Sequence, residues 1–263
     1  MIVVGVDFSD GSLAAVRWAL AEAARSTERV VLLHAGPPTS DLVEHTPLVE
    51  GRHAEHRQRL RALAQDVGGA ADVADVDGPA AQVLVSEAKD ARLLVVGRRG
   101  LSALESIVAG SVSHEVLRHA RCPVVVVPAN APASPPARVV VGVDDSRNSA
   151  VAADWAAVEA VAHGVPLLLV HSATVGLVED DERSAVTAAE ARLAGTVGKD
   201  LTIERLVTEE PAGAALVAAA GRDDLLVVGT HARGPIARLF VGSTSTYCVE
   251  HAICPVAVVP LHA

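Results

Sequence analysis

The chain has 263 residues and a formal net charge of −10, and half of its residues are hydrophobic although only 2% are aromatic. This length suits two domains of ordinary size, and the acidic balance argues against nucleic acid or an anionic membrane surface as a partner. No apolar run reaches the roughly 18 residues of a membrane span, and Asp7 interrupts the first run before a signal peptide could form, so we expect a cytoplasmic protein.

In the first half, short aliphatic runs alternate with longer stretches that carry a helical pattern. The predicted strands are Ile2–Val6, Val30–His34, Val73–Val76, Leu93–Gly97 and Val124–Val127. The predicted helices are Ser12–Arg25, His53–Gln65, Ala80–Lys89 and Ser111–His119. This alternation is typical of βαβ units, and a core built from Val, Leu, Ile and Ala fits a parallel sheet that is buried on both faces. We therefore expect an α/β fold with a doubly wound parallel sheet.

The second half repeats the first. Its predicted strands are Val139–Val143, Leu167–His171, Ile203–Val207, Leu225–Gly229 and Val256–Val259. Asp144 follows Asp7 by 137 positions and Gly229 follows Gly97 by 132, so the copies differ by a five-residue deletion. A repeat this long is a duplicated domain. We expect one domain over residues 1–128 and another over 138–263, joined by a proline-rich linker over 129–137.

A glycine-spaced turn follows the fourth strand of the first copy. It reads Gly97-x2-Gly100-x9-Gly110-Ser111 and ends where a helix is predicted to begin. Glycines let a ligand approach the backbone, and the free N–H groups at the start of a helix suit a phosphate. Ser111 and Ser113 would add hydroxyl donors. Neither the P-loop pattern nor the Gly-x-Gly-x-x-Gly pattern occurs, so this would be a phosphate-binding turn of another kind.

An aspartate follows the first strand of each copy, as Asp7 and Asp144. Ser9 and Asp10 are expected to cap the next helix, but Asp7 lies too early for that role. At the point where the strand order of such a sheet reverses, a carboxylate could accept a hydrogen bond from a ribose hydroxyl or a base amine.

Four histidines and three cysteines give weaker indications of a functional site. His53 and His56 could form a metal pair, but their charged surroundings favour a solvated helix face. His34 and His171 end equivalent strands and would either approach a ligand or bond to a neighbouring loop. The cysteines show neither metal spacing nor a disulfide framework. We expect no metal site and no catalytic residue.

Three motifs recur in the same order in both copies: Val-Gly-Val-Asp ending at Asp7, the glycine turn, and Cys122-Pro123 before the last strand. Together they resemble the universal stress protein superfamily over the whole chain, as a tandem pair. The resemblance implies two five-stranded sheets of strand order 3-2-1-4-5, a fold like that of the adenine nucleotide alpha hydrolases. It also implies ATP, with Mg²⁺, as the ligand of members that keep the glycine pattern.

The resemblance assigns a nucleotide site to each copy. In the first, the implied ATP-binding residues are Gly5, Val6, Asp7, Ala35, Val96, Gly97, Arg99, Gly100, Gly110, Ser111, Val112 and Ser113. In the second, they are Gly142, Val143, Asp144, Ser172, Val228, Gly229, Ala232, Gly242, Ser243, Thr244 and Ser245. Ala232 stands where the pattern has its middle glycine, and its methyl group would crowd the ligand or alter the turn. Arg98 and Arg99 in the first copy would add charge-assisted bonds to phosphates, so we expect the first site to bind ATP at least as tightly as the second.

The last strand of each copy lies at a sheet edge in the implied order. An unpaired apolar edge favours association, so we expect Val124–Val127 and Val256–Val259 to pair antiparallel within the chain. A homodimer is a further alternative.

The leading function is that of an ATP-binding stress-response factor with slow or no hydrolysis, because no nucleophile is paired with a general base. Two alternatives stay open at this point. One is an adenylate-transferring or ATP-hydrolysing enzyme of the same architecture, and the other is an interaction module without a ligand.

Overall fold

The computed structural model describes residues 1–36, 47–67, 70–98, 111–173, 179–196, 201–230 and 242–261. The chain divides into two compact units, Met1–Ala133 and Ser134–Ala263. Among the described residues, no helix is both long and apolar enough to cross a membrane.

The first unit alternates strands and helices. Its elements are β1 (Ile2–Gly5), α1 (Asp10–Ser26), β2 (Val30–Gly36), α2 (Pro47–Asp66), β3 (Asp72–Asp77), α3 (Ala80–Glu87), β4 (Leu93–Gly97), α4 (Ser111–His119) and β5 (Val124–Val127). Neighbouring strands are parallel, in the order β3-β2-β1-β4-β5. The predicted doubly wound sheet and its strand order are confirmed.

The second unit repeats this plan. Its elements are β6 (Arg138–Gly142), α5 (Arg147–His163), β7 (Leu167–Ser172), α6 (Glu179–Thr196), β8 (Ile203–Thr208), α7 (Ala212–Ala219), β9 (Asp224–Gly229), α8 (Ser243–His251) and β10 (Val256–Val259). Its strands are parallel in the order β8-β7-β6-β9-β10. The linker over 129–137 and the expected pairing of the last strands of the two copies stay predictions.

The helices of the first unit pack on the sheet through small aliphatic side chains. In α1, Ala15, Val16 and Ala19 are fully buried and Trp18 is 6% exposed. The helix packs against β1 and β4, so the buried tryptophan helps to anchor it to the sheet. The strands beneath are runs of valine and leucine because both of their faces are covered.

The strand order places one special point in each sheet. β1 lies between β2 and β4. The chain continues from β1 to β2 and β3 on one side of β1, and then returns to β4 and β5 on its other side. Crevices form at such a reversal, beyond the carboxyl ends of the strands, and ligands of open α/β sheets bind there. Asp7, directly after β1, lies at this point.

Candidate functional site

A cleft of about 220 Å³ opens at the carboxyl ends of β1, β2 and β4 in the first unit. It is lined by Gly5, Val6, Asp7, Ser9, Ser12, Leu33, Ala35, Ala80, Leu84, Val96, Gly97, Val112 and Ser113. The strands supply its floor, α3 supplies an apolar wall, and the first turn of α4 supplies a polar end. This is the position at which the strand order reverses.

Eight of the twelve residues predicted for the first site line this cleft: Gly5, Val6, Asp7, Ala35, Val96, Gly97, Val112 and Ser113. Arg99, Gly100 and Gly110 lie outside the described residues. Ser111 begins α4, as predicted, but its side chain is likewise outside the description.

A local turn holds Asp7 at the rim of the cleft. Its Oδ1 accepts hydrogen bonds from the Ser9 backbone N–H at 3.1 Å and from the Ser9 hydroxyl at 2.5 Å. The Ser9 Oγ also accepts the N–H of Ser12 at 3.4 Å, which caps α1. The capping role predicted for Ser9 is confirmed. The same residue therefore fixes both the start of α1 and the orientation of the Asp7 carboxylate.

The second unit builds the same turn. The Oδ1 of Asp144 accepts the N–H of Ser146 at 2.9 Å, and the Ser146 Oγ accepts the N–H of Ser149 at 3.1 Å as the cap of α5. The N–H of Asp144 donates to the Ser149 hydroxyl at 2.8 Å. Because both copies keep this network, the placement of the aspartate belongs to the fold of the repeated unit.

Gly97 lies against the start of α1. A Cβ at this position would be 2.2 Å from the carbonyl carbon of Gly11 and 2.5 Å from the backbone nitrogen of Ser12, which no side chain can tolerate. In the second unit, a Cβ at Gly229 would lie 2.8 Å from the carbonyl oxygen of Asn148. The packing of a helix therefore requires the first glycine of the turn in each unit, a reason that the sequence did not reveal, and the approach of a ligand to these glycines stays a prediction.

The second unit has a matching cleft of about 240 Å³. Of the residues predicted for the second site, Gly142, Val143, Asp144, Ser172, Val228, Gly229, Ser243 and Thr244 line it. Gly242 and Ser245 are not among the lining residues. Gly242 is the N-cap of α8, and the Ser245 hydroxyl, which is 1% exposed, donates to the Gly242 carbonyl oxygen at 3.0 Å. Ala232 lies outside the described residues.

The model of the Universal stress protein family matches residues 1–128 and 136–260. The chain belongs to the universal stress protein family. A universal stress protein of Mycolicibacterium smegmatis is 33% identical over 283 aligned residues, which span 98% of this chain and 96% of that protein. One of Mycobacterium tuberculosis is 32% identical over 282 residues, with 98% and 95% covered.

A solved structure supports the architecture of this universal stress protein. The crystal structure of a universal stress protein from Archaeoglobus fulgidus has a TM-score of 0.77 at 20% identity, and covers 99% of this chain and 98% of that one. This likeness, at such low identity, concerns the fold.

Sequence reasoning missed five residues that line the first cleft of this universal stress protein. Ser9 was expected only as a helix cap, and Ser12, Leu33, Ala80 and Leu84 were not expected at all. Their counterparts in the second cleft are Ser146, Ser149, Val170, Ala212 and Leu216. All five pairs keep the offset of their part of the repeat. A comparison of the two copies, position by position, is therefore the sequence signal that could have pointed to these residues.

The expectation about the arginines stays a prediction, whereas the one about the histidines of α2 was wrong. Arg98 lines a neighbouring cleft with Asp10 and Arg17, and is not among the residues that line the first cleft. His53 and His56 were expected on a solvated helix face, but both contact the carboxylate of Asp75.

The histidines that end equivalent strands take different roles in the two units. His171 lines the second cleft, and its Nδ1 lies 2.8 Å from the carbonyl oxygen of Val143. His34 turns to the opposite face of its sheet, where its Nδ1 lies 2.7 Å from Asp75.

Proposed function

We propose that this universal stress protein binds an adenine nucleotide in the first-unit cleft and acts as a nucleotide-dependent stress-response factor. The observation that carries the proposal is the convergence of three features at the reversal of the strand order. These are an apolar slot, the carboxylate of Asp7, and the start of α4 with the buried hydroxyl group of Ser113. Ligand sites commonly combine a mostly apolar lining with a few placed polar groups.

The slot suits the nucleoside part of the ligand. Leu33 and Ala35 of β2 and Leu84 of α3 form apolar walls against which a base can pack. At about 220 Å³, the slot is smaller than the pockets of roughly 300–1,000 Å³ that enclose whole drug-sized ligands. We therefore assign to it the base and the sugar, with Asp7 as the acceptor for a ribose hydroxyl.

The start of α4 suits the phosphates. This helix has nine residues and begins at Ser111, and its first N–H groups have no partners within the helix. Those groups and the positive end of the helix dipole favour an anion. The side chain of Ser113 lines the cleft at the same end.

We propose binding with slow or no hydrolysis. Among the described residues that line the first cleft, Asp7 is the only carboxylate, whereas metal-assisted phosphoryl transfer usually employs several metal-binding groups. The proposal therefore does not rest on bound Mg²⁺.

The test is to purify the full chain, denature it, and identify any nucleotide in the supernatant. The apoprotein is then titrated with ATP, ADP, adenosine and GTP in a calorimeter, together with the Asp7→Ala and Asp144→Ala variants. Saturable binding of ATP that weakens at least about tenfold in the Asp7→Ala variant supports the proposal. An adenylated product in the supernatant would favour the adenylate-transferring alternative. Absence of binding by the wild-type protein would favour the interaction module and reject the proposal.

A further inference from the structure

A second cluster of polar side chains lies on the face of the first sheet opposite to the cleft. Leu33 and Ala35 line the cleft, and because side chains alternate along a strand, His34 between them points to the other face. His34 is paired in register with Asp75 of β3. The two side chains therefore stand side by side on neighbouring strands, beneath α2.

Helix α2 brings two more imidazoles to the same carboxylate. His34 Nδ1 lies 2.7 Å from Oδ1 of Asp75, while His53 Nδ1 and His56 Nδ1 lie 2.5 and 3.2 Å from Oδ2. The spacing of three between His53 and His56 places both on one helix face. The Asp75 side chain is 1% exposed, and the three imidazoles are 14 to 20% exposed.

Asp75 offers a buried carboxylate next to imidazole nitrogens. Both of its oxygens lie against imidazoles of the cluster. Imidazole nitrogens are the commonest protein ligands of transition metals, so the cluster combines two ligand types that suit one ion.

We propose that His34, His56 and Asp75 bind one Zn²⁺ ion. One ligand atom from each of these three residues lies within 4.8 Å of the other two. Zinc takes imidazole nitrogen and carboxylate oxygen at about 2.0–2.2 Å, so two ligand atoms of a tetrahedral ion stand about 3.4 Å apart. The proposal therefore requires the two partly exposed imidazole rings to rotate towards the ion on binding. Three protein ligands leave one position of a tetrahedral ion open to water.

The surroundings of the cluster suit a metal centre. His53 lies 2.5 Å from the Oδ2 of Asp75 and its Nε2 lies 3.4 Å from Asp77, which also accepts from Arg52 at 3.0 Å. Such a hydrogen-bonded outer layer orients the ligands of a metal and tunes their basicity. His53 is thus assigned as a positioning residue.

An aromatic ring closes one side of the cluster. The ring centroid of Phe8 lies 5.3 Å from that of His34 and 6.3 Å from that of His56, and the two imidazole centroids are 4.3 Å apart. Phe8 therefore places an apolar ring against both imidazoles on this side of the cluster.

The second unit supplies an internal control. His171 occupies the position equivalent to His34, but its register partner on β8 is Val207 and its Nδ1 contacts a backbone carbonyl. No histidine occurs in α6. We therefore expect one zinc ion per chain, bound by the first unit.

The metal alone is the probe in the first experiment. The full-length apoprotein, freed of metal by a chelator, is titrated with Zn²⁺ against a chromophoric chelator, and with Co²⁺ for its visible absorption spectrum. We expect one equivalent of Zn²⁺ in the wild-type protein and a loss of affinity of at least about tenfold in His34→Asn and His56→Asn. His171→Asn and His119→Asn are the controls and should bind zinc like the wild type. Equal losses in the controls, or no saturable binding by the wild type, would overturn the proposal.

A second experiment needs no variant and therefore does not depend on how the substitutions fold. Crystals of the wild-type protein are soaked in Zn²⁺, and diffraction data are collected at the zinc absorption edge. An anomalous peak among His34, His56 and Asp75 is expected. A peak only elsewhere, or no peak, rejects the site. Neither experiment contains nucleotide, so the outcome is separate from that of the nucleotide proposal.

Discussion

At position 97, a single side chain would collide with the start of α1. We expect Gly97→Ala to lower the free energy of unfolding by about 2–4 kcal/mol, because the added methyl group overlaps backbone atoms that cannot move independently. The closest of these atoms, the Gly11 carbonyl carbon, would be 2.2 Å away. Urea unfolding followed by circular dichroism measures the change.

Gly51 is the matched control for this substitution. It lies within α2 and is exposed, and a Cβ there would meet no described atom within 4 Å. Gly51→Ala should raise the free energy of unfolding by about 0.5–1 kcal/mol, since alanine has the higher helix propensity. Gly97→Ala with stability equal to that of Gly51→Ala would contradict the packing argument.

The buried thiols should be inert in the folded protein. Burial raises the pKa of Cys122 to about 11 and that of Cys248 to about 12, the latter with a further contribution from Cys254. A thiol of pKa 11 is about one part in a thousand thiolate at pH 8, and the thiolate is the reactive form. We expect iodoacetamide at pH 8 to leave both residues unmodified in the native protein and to label them after unfolding in guanidinium. Rapid labelling of the native protein, located by mass spectrometry, would contradict this.

At the scale of elements, an ion-pair cluster joins the end of α1 to the start of β4. Arg92, just before β4, forms ion pairs with Glu28 and, at 2.9 Å, with Glu22, and Glu28 lies 2.7 Å from the amino group of Met1. Burial acts to raise the pKa of Glu28. The hydrogen bond from the amino group and the charge of Arg92 lower the pKa by more than burial raises it, so the pKa lies below its ordinary value.

This shift predicts a pH dependence. A carboxyl whose folded-state pKa is depressed contributes stability above its unfolded pKa and loses that contribution as the pH falls through the folded value. Glu28→Gln should therefore melt at a lower temperature than the wild type at pH 7, and the difference should shrink below about pH 4. Scanning calorimetry from pH 7 to pH 3 measures it, with Glu87→Gln, an exposed residue at the end of α3, as the control. A difference that does not change with pH would point to packing rather than charge.

The sequence predicted the strands well and the polar helix α2 poorly. Short aliphatic runs mark the strands, and β5, a run of four valines between two prolines, agrees with its predicted bounds. Helix α2 begins at Pro47, six positions before its predicted start. This helix is rich in charged residues and lacks a clear apolar stripe, so the periodicity that indicates a helix was weak.

The histidine cluster could not be predicted for a different reason. His34 and Asp75 are 41 positions apart, and they meet only because β2 and β3 pair in one particular register. A shift of that register by one residue would turn one of them to the other face. The cleft, in contrast, follows from motifs that each strand end carries by itself, which is why Asp7, Gly97 and Ser113 could be named from the sequence.

At the scale of the whole molecule, two copies of one unit keep the same cleft but not the same surroundings. Ser12 and Ser149 line equivalent positions, and so do Leu84 and Leu216. The histidine cluster, in contrast, belongs to the first unit among the described residues, and the glycine pattern of the second copy is altered at Ala232. Duplication frees one copy to change, and we expect the two clefts to differ in affinity.

A matched pair of blocking substitutions tests this difference. Ala35 and Ser172 are equivalent positions on β2 and β7, and each lines the cleft of its own unit. A phenylalanine at either position would fill much of a cleft of about 220 or 240 Å³. We expect Ala35→Phe to weaken ATP binding at least about tenfold, because the ring occupies the slot assigned to the base.

Ser172→Phe should leave ATP binding to the first cleft unchanged. At most, it should remove a weaker binding of ATP to the second cleft. Calorimetric titration of both variants with ATP gives the stoichiometry and the affinity of each step, and circular dichroism verifies that each variant is folded. Because the Ser172 hydroxyl also donates to the Glu210 carbonyl at 2.6 Å, Ser172→Ala serves as the control for loss of that hydrogen bond. Equal losses in the two phenylalanine variants would mean that the copies share the ligand equally, and an unaffected Ala35→Phe variant would place the nucleotide outside the first cleft.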